Sequence, residues 1–392
     1  MSKRLLAAGV VAALALAACG DDDDNAAPSA TTAAPAGTTA APESVPAQAT
    51  TAAPAGSTAA PSGDAVKVGL LFDITCTGDK SFNDSAAAGL DKATADFNIE
   101  ATHSCPSADD DRKPRLDLMV QDGTQLMIGV GFLWGPAISA GAYENPDRHF
   151  GIVDSVVNTY DANATPDDTS DDAALTNVAS LVFAEEQGSF LVGAAAALTS
   201  KTGSIGFVGG VEIDLIKKFE AGYIAGAKAV NPDIQVVSKY VSQPPDFTGF
   251  NNAAAGKEIA AQMYSGGADV VYHAAGATGL GVFEAAKDAG APGSVWAIGV
   301  DSDQYLTASP DLQPYILTSM VKHVDVAVYE TIKAETEGTF TGDIQTFDLK
   351  RDGVGYATSG DFMSADTIAK LEDFKAKIIS GEIVVPTDPT KA

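Results

Sequence analysis

The chain has 392 residues, with 24 Lys and Arg against 52 Asp and Glu and a formal charge of −28 at pH 7. Binding to a polyanion rests on clustered basic side chains, so a nucleic-acid partner is excluded. His103, His149, His273 and His323 lie far apart and no serine sits in a G-x-S-x-G elbow, so neither metal-ligand spacing nor a catalytic constellation is present, and no enzyme activity, metal or cofactor is expected.

The first residues, MSKRLLAAGVVAALALAAC, place Lys3 and Arg4 before an apolar run that ends in Leu16-Ala17-Ala18-Cys19. This reads as a lipoprotein signal peptide over 1–19, because the run falls short of the roughly 20 residues a spanning helix needs. Cys19 is expected to carry lipid and hold the protein outside the cytoplasm, on the cell membrane. Residues 20–64 are DDDD followed by loose repeats such as TTAAPAGTTAAP. With almost no large apolar side chains they cannot offset the entropy of ordering, so they read as a disordered, proline-stiffened tether.

From residue 65 onward the chain is long enough for two domains of ordinary size. VKVGLLFD (66–73) reads as a buried strand ending in a carboxylate, and Ser81-Phe82-Asn83-Asp84 as a capping box before a helix. LMIGVG and FGIVD are further strands, separated by a helical stretch around Pro136 to Tyr143. The alternation then continues: a helix over 185–199, strand SIGFVG, a helix over 215–230, strand QVVSKYV, a helix over 254–264, strand ADVVYHA, a helix over 279–289 and strand VWAIGVD. Strand ILTSMVK and a helix over 324–337 follow. Such alternation implies an α/β protein with doubly wound lobes and a ligand cleft at the carboxyl ends of parallel strands. The lobes are assigned as 65–177 with 302–337, and 178–301 with 338–392.

Asp73, Asp154 and Asp301 each follow an apolar strand, which points them at the cleft mouth or makes them helix N-caps. Lys322 can partly neutralise the three, since closing carboxylates away from water is costly without a cation. Phe82 is either a hydrophobic staple or a cleft residue, Phe219 either core or cleft, and Trp134 either packing or cleft lining. Cys76 and Cys105, in an exported chain, are expected to form one disulfide, the alternative being two free thiols.

DKSFN, IGVGF, GSIGFVGG, KKFEAGYIAGAKAVNP, AAGATGLGVFEAAK, IGVDSDQ and LTSMVKHVDVAVYETIK occur in an order that resembles the basic membrane protein family of lipoproteins, similar to the purine nucleoside receptors of ABC importers. The resemblance implies a type I periplasmic-binding-protein fold, a monomer, that closes around a nucleoside and delivers it to ABC permease and ATPase subunits. It further implies that Phe82 and Phe219 sandwich the base, that Asp73, Asn83 and Asp154 contact base and sugar, and that Asp301 and Lys322 hold the ribose. Gly276 is implied to allow close backbone approach. Cys76 and Thr77, the stretch Cys105–Arg115 and the acidic loop 158–176 depart from the family pattern. A sensing or adhesion lipoprotein of the same fold, a receptor for another small polar solute, and a nucleoside hydrolase are the alternatives.

Overall fold

The structure is a computed structural model that describes residues 64–165 and 169–392. The signal peptide, Cys19 and the tether up to residue 63 lie outside the described residues.

Two six-stranded sheets organise the chain. The first is built by β1 (Val66–Leu71), β2 (Ile99–Ser104), β3 (Leu126–Gly129) and β4 (His149–Val153), with the helices α1 (Phe82–Asp96), α2 (Arg112–Gln121) and α3 (Gly135–Glu144) between them. A hairpin of β5 (Thr159–Tyr160) and β6 (Ala173–Ala174) precedes β7 (Val178–Phe183). The second sheet begins after α4 (Glu185–Thr199) with β8 (Ser204–Val211), α5 (Asp214–Val230), β9 (Gln235–Ser242), α6 (Ala253–Ser265) and β10 (Val270–Ala274). Next come α7 (Gly279–Ala289), β11 (Trp296–Asp301), the short α8 (Gln304–Thr307), β12 (Ile316–Lys322) and α9 (Val324–Thr336). The chain ends with β13 (Ile344–Phe347), β14 (Val354–Tyr356) and α10 (Ala365–Ser380).

The first sheet has the order β13-β7-β4-β3-β1-β2 and is parallel throughout. The second has the order β14-β12-β11-β10-β8-β9, parallel except for its edge strand β14. Central strands such as LMIG and VVYHA are buried along their whole length, as strands covered by helices on both faces must be. Within β1, Val68 and Leu70 pack into the core that α1 and α9 share, whereas Leu71 packs into that of α2 and α3.

The lobe limits differ from those expected. Strand β7 lies in the first sheet, β12 in the second, and β13 returns to the first beside β7. The chain therefore crosses between Phe183 and Glu185, between Lys322 and Val324, and between Phe347 and Val354. Buried parallel strands look alike in sequence whichever sheet they join, so nothing local marks these crossings.

The capping box is also corrected. Ser81 is the N-cap of α1 but makes no side-chain cap. Its hydroxyl donates instead to Asp301 Oδ2 across the lobes, at 2.6 Å. Asp79 takes over the capping role, accepting the N–H groups of Ser81, Asn83 and Asp84. The two cysteines outside the signal peptide, Cys76 and Cys105, are joined as a disulfide with Cα atoms 5.5 Å apart. Cys76 has φ 55, a left-handed conformation that favours glycine.

Helices α4 and α5 make the most intimate pair in the fold. A Cβ on Gly193, Gly222 or Gly226 would run into the backbone carbonyl of Tyr223, Glu186 or Phe190 on the facing helix. That contact fixes the position of Glu185 relative to Lys218 and Phe219, which matters below.

Candidate ligand-binding site

In each sheet the strand order reverses once: between β1 and β3 in the first, and between β8 and β10 in the second. Ligands of open parallel sheets bind beyond the carboxyl ends of strands at such points. The principal cavity lies there. It is lined from the first sheet by Asp73, Gly131 and Phe132, and from the second by Leu215, Ala275 and Gly276. Its atom-free space is about 610 Å³, part of it open to solvent.

All eight residues singled out in the sequence, Asp73, Phe82, Asn83, Asp154, Phe219, Gly276, Asp301 and Lys322, line this one cavity. Asp73, Phe82, Asn83 and Asp154 come from the first lobe; Phe219, Gly276, Asp301 and Lys322 come from the second. Trp134 does not join them: it is fully buried and donates its indole N–H to Phe72 O. Phe132 lines the cavity and meets Phe247 of the second lobe edge-on, with centroids 5.6 Å apart, so aromatic rings bridge the lips of the cleft.

At the centre lies Lys322. Its Nζ is 2.7 Å from Asp154 Oδ2 and 3.6 Å from Asp301 Oδ1, and 4.7 and 5.6 Å from the ring centroids of Phe82 and Phe219. Burial by itself disfavours the charged form of this ammonium. Asp154, Asp301 and Glu185 outweigh burial and hold it charged, above the usual lysine value. Burial raises the Asp301 carboxyl, opposed by Lys322 and by the Ser81 hydroxyl. Neither Asp154 nor Asp301 caps a helix; both have φ 63, a conformation L-residues adopt sparingly and one concentrated at functional sites. Asp154, which lines the cavity, has its Oδ1 buried with no hydrogen-bond partner among the described residues.

At the other end, Asp73 Oδ1 accepts from Ile74 N at 2.8 Å and from Arg112 Nη2 at 3.4 Å. Asn83 lines the cavity, but its amide is engaged within the protein. Oδ1 accepts Asp73 N–H, and Nδ2 donates to Thr75 Oγ1 and Asp79 Oδ2. Its role here is to orient Asp73 and the loop before α1.

Arg112 and Glu185 were not anticipated. Arg112 sits in the stretch Cys105–Arg115, for which no element is expected from the sequence, yet only 4% of its side chain is exposed. Glu185 reads as an ordinary acidic residue in a first helical turn. It directly follows an apolar strand, as do the three aspartates, and that shared position is the signal that could have found it. Glu185 is buried against Lys218 Nζ at 3.1 Å, and burial raises its carboxyl to about 7, with Lys218 opposing and Asp154 reinforcing. A carboxyl raised in the folded state costs stability as pH climbs from its unfolded value near 4.5 to about 7, and the cost is constant above that. Glu185→Gln is therefore expected to stabilise the ligand-free protein by about 1–3 kcal/mol at pH 8 and by less at pH 5. Urea unfolding at the two pH values checks this; an equal effect at both would contradict it.

Two doubly wound lobes with one charged, aromatic-edged cavity at their paired switch points are the architecture of a solute-binding protein. A model of the family described as "ABC transporter substrate-binding protein PnrA-like" matches residues 65–389, and the chain belongs to that family. It is 38% identical to the CD4+ T-cell-stimulating antigen of Listeria monocytogenes over 337 residues, covering 82% of this chain and 88% of that one. It is 35% identical to the ABC transporter nucleoside-binding protein BmpA of Lactococcus lactis, covering 82% and 89%. Among solved structures, an ABC transporter solute-binding protein of Aeropyrum pernix is 30% identical with a TM-score of 0.69, covering 82% and 94%. One from Conexibacter woesei, at 23% identity and a TM-score of 0.64, shares the fold, covering 82% and 99%.

Proposed function

We propose that the chain is a monomeric extracytoplasmic receptor that binds a nucleoside between its lobes and hands it to the permease and ATPase subunits of an ABC importer. It acts by binding and not by catalysis, and the lipid on Cys19 keeps it at the membrane. Among the described residues no helix is long and apolar enough to cross a membrane, which fits attachment through the tether.

The observation that carries the reading is the placement of Phe82 and Phe219, one from each lobe, around an ion cluster in which Asp154 Oδ1 has no hydrogen-bond partner among the described residues. A flat base between the two rings gains roughly 1–3 kcal/mol per stacked face irrespective of its identity. A sugar has vicinal hydroxyls for Asp154 and Asp301, and the Lactococcus relative is named for nucleoside binding. The test is calorimetric titration of the purified chain, unfolded and refolded to strip carried-over ligand, with adenosine, guanosine, inosine, cytidine and uridine. Micromolar or tighter binding of at least one is expected; silence towards all five from a folded sample would sink the reading.

A further inference from the structure

Arg112 is the cation at the Asp73 end of the cavity, remote from Lys322 in the sequence and carried by a different lobe. Its guanidinium lies 5.7 Å from the ring centroid of the buried Trp134 and reaches Asp73 Oδ1 with one nitrogen and the exposed Asp109 with another, at 2.5 Å. Its Nε is buried with no hydrogen-bond partner among the described residues. The Cys76–Cys105 disulfide ties the loop that carries Thr75 to the segment leading into α2, so Arg112 and the cavity wall are fastened together.

This arrangement makes the Asp73 carboxylate asymmetric. Among the described residues, both hydrogen bonds that it accepts fall on Oδ1. Oδ2 lies over Gly131, where an added Cβ would come within 2.5 Å of it and 3.5 Å of Phe82 Cε1. Gly131 has φ 102, and its lack of a side chain leaves room between Oδ2 and the edge of the Phe82 ring, on whose face a base would stack. The neighbouring Asn83 cannot supply an extra donor there, because both hydrogens of its amide are engaged.

We propose that Arg112 is a specificity-determining residue: by holding Asp73 as an oriented, ionised acceptor, it selects ligands that present a hydrogen-bond donor along the base edge. The inference rests on the nucleoside reading above. Its geometry agrees with the charge balance at Asp73. Burial raises that carboxyl to about 6; Ile74 N–H and Arg112 oppose the rise and Asp154 adds to it. The other titratable groups nearby are Asp79, which shares the Asn83 amide, Asp109 on the far side of Arg112, and His103, whose ring packs on Phe72. Without Arg112 the carboxyl would protonate at a higher pH and cease to be a dedicated acceptor.

The test uses the full chain, stripped of ligand, titrated from pH 5.5 to 8.5 with three probes. Adenosine and inosine each carry a donor on the six-membered ring edge, the 6-amino group or N1–H; purine riboside carries neither. At pH 8 the wild type is expected to bind the tighter of the first two roughly 10- to 100-fold better than purine riboside, and to lose that preference on acidification through about pH 6. Arg112→Met is expected to reduce the preference to a few-fold at pH 8 and to move its loss upward by a pH unit or more, with Arg112→Lys restoring most of it. A wild type that binds nucleosides with no such preference or no such pH dependence overturns the inference without any variant. So does an Arg112→Met protein that weakens for all three probes equally at every pH, since that is a merely structural effect. A wild type silent to all three probes overturns the nucleoside reading itself and the inference with it.

Discussion

Replacing Lys322 with methionine is expected to cost about 3–5 kcal/mol of folding stability and to abolish ligand binding. The ammonium is the cation between Asp154 and Asp301, at 2.7 and 3.6 Å, and all three side chains are nearly inaccessible to water. Methionine fills a similar volume, so the loss would come from two buried carboxylates left without their cation, Asp301 keeping only the Ser81 hydroxyl, and not from a cavity. The pH response separates these causes. Burial already raises the Asp301 carboxyl, and with its cation gone the folded state takes up a proton well before the unfolded chain does near pH 3.8. Acidification from pH 8 to 5 is thus expected to recover part of the lost stability in the variant. Denaturant unfolding across that range measures it, and a loss that stays constant with pH would contradict the electrostatic account.

Asp154→Ala is expected to weaken nucleoside binding by about 2–5 kcal/mol, and to do so selectively. Asp154 holds Lys322 through Oδ2 while Oδ1 is buried without a partner among the described residues. On the proposed reading a sugar hydroxyl completes that acceptor, and a site built to hydrogen-bond a hydroxyl rejects the analogue that lacks it far more strongly than an apolar pocket does. The wild type should therefore discriminate sharply between a nucleoside and one of its 2′- or 3′-deoxy analogues, and Asp154→Ala should bind the two almost alike. Calorimetry of both proteins with the three ligands checks this. Equal losses for all of them would assign Asp154 to the ion cluster alone.

Much of this site could be read before any coordinates. Strands buried on both faces announce themselves as apolar runs, and Asp73, Asp154, Asp301 and Lys322 stand at or just beyond the ends of such runs, so the topology delivers them to one place. Phe219 could not be separated from core by periodicity alone, because the face of α5 that carries it also packs Ile216 and Tyr223; the family resemblance made that distinction. Two of the elements that escaped notice have a weak apolar signature. Strand β2 is an edge strand exposed along most of its length, and α2, RKPRLDLMVQ, opens with three basic residues in its first four. Arg112 hid within the second of these, since a buried guanidinium and a solvated one look the same in sequence. The Ser81 hydroxyl was misassigned for a different reason: a capping box is a local pattern, and the carboxylate that won its proton comes from the other lobe, 220 residues away.

The most direct test of the central claim, that the cleft is a nucleoside site, is titration of the refolded, ligand-free chain with the five common ribonucleosides alongside free ribose. The account expects saturable one-to-one binding of at least one nucleoside at micromolar or lower concentration, with ribose far weaker because it lacks the base that Phe82 and Phe219 would enclose. Ribose binding as tightly as any nucleoside, or a folded protein that binds none of them, would contradict it.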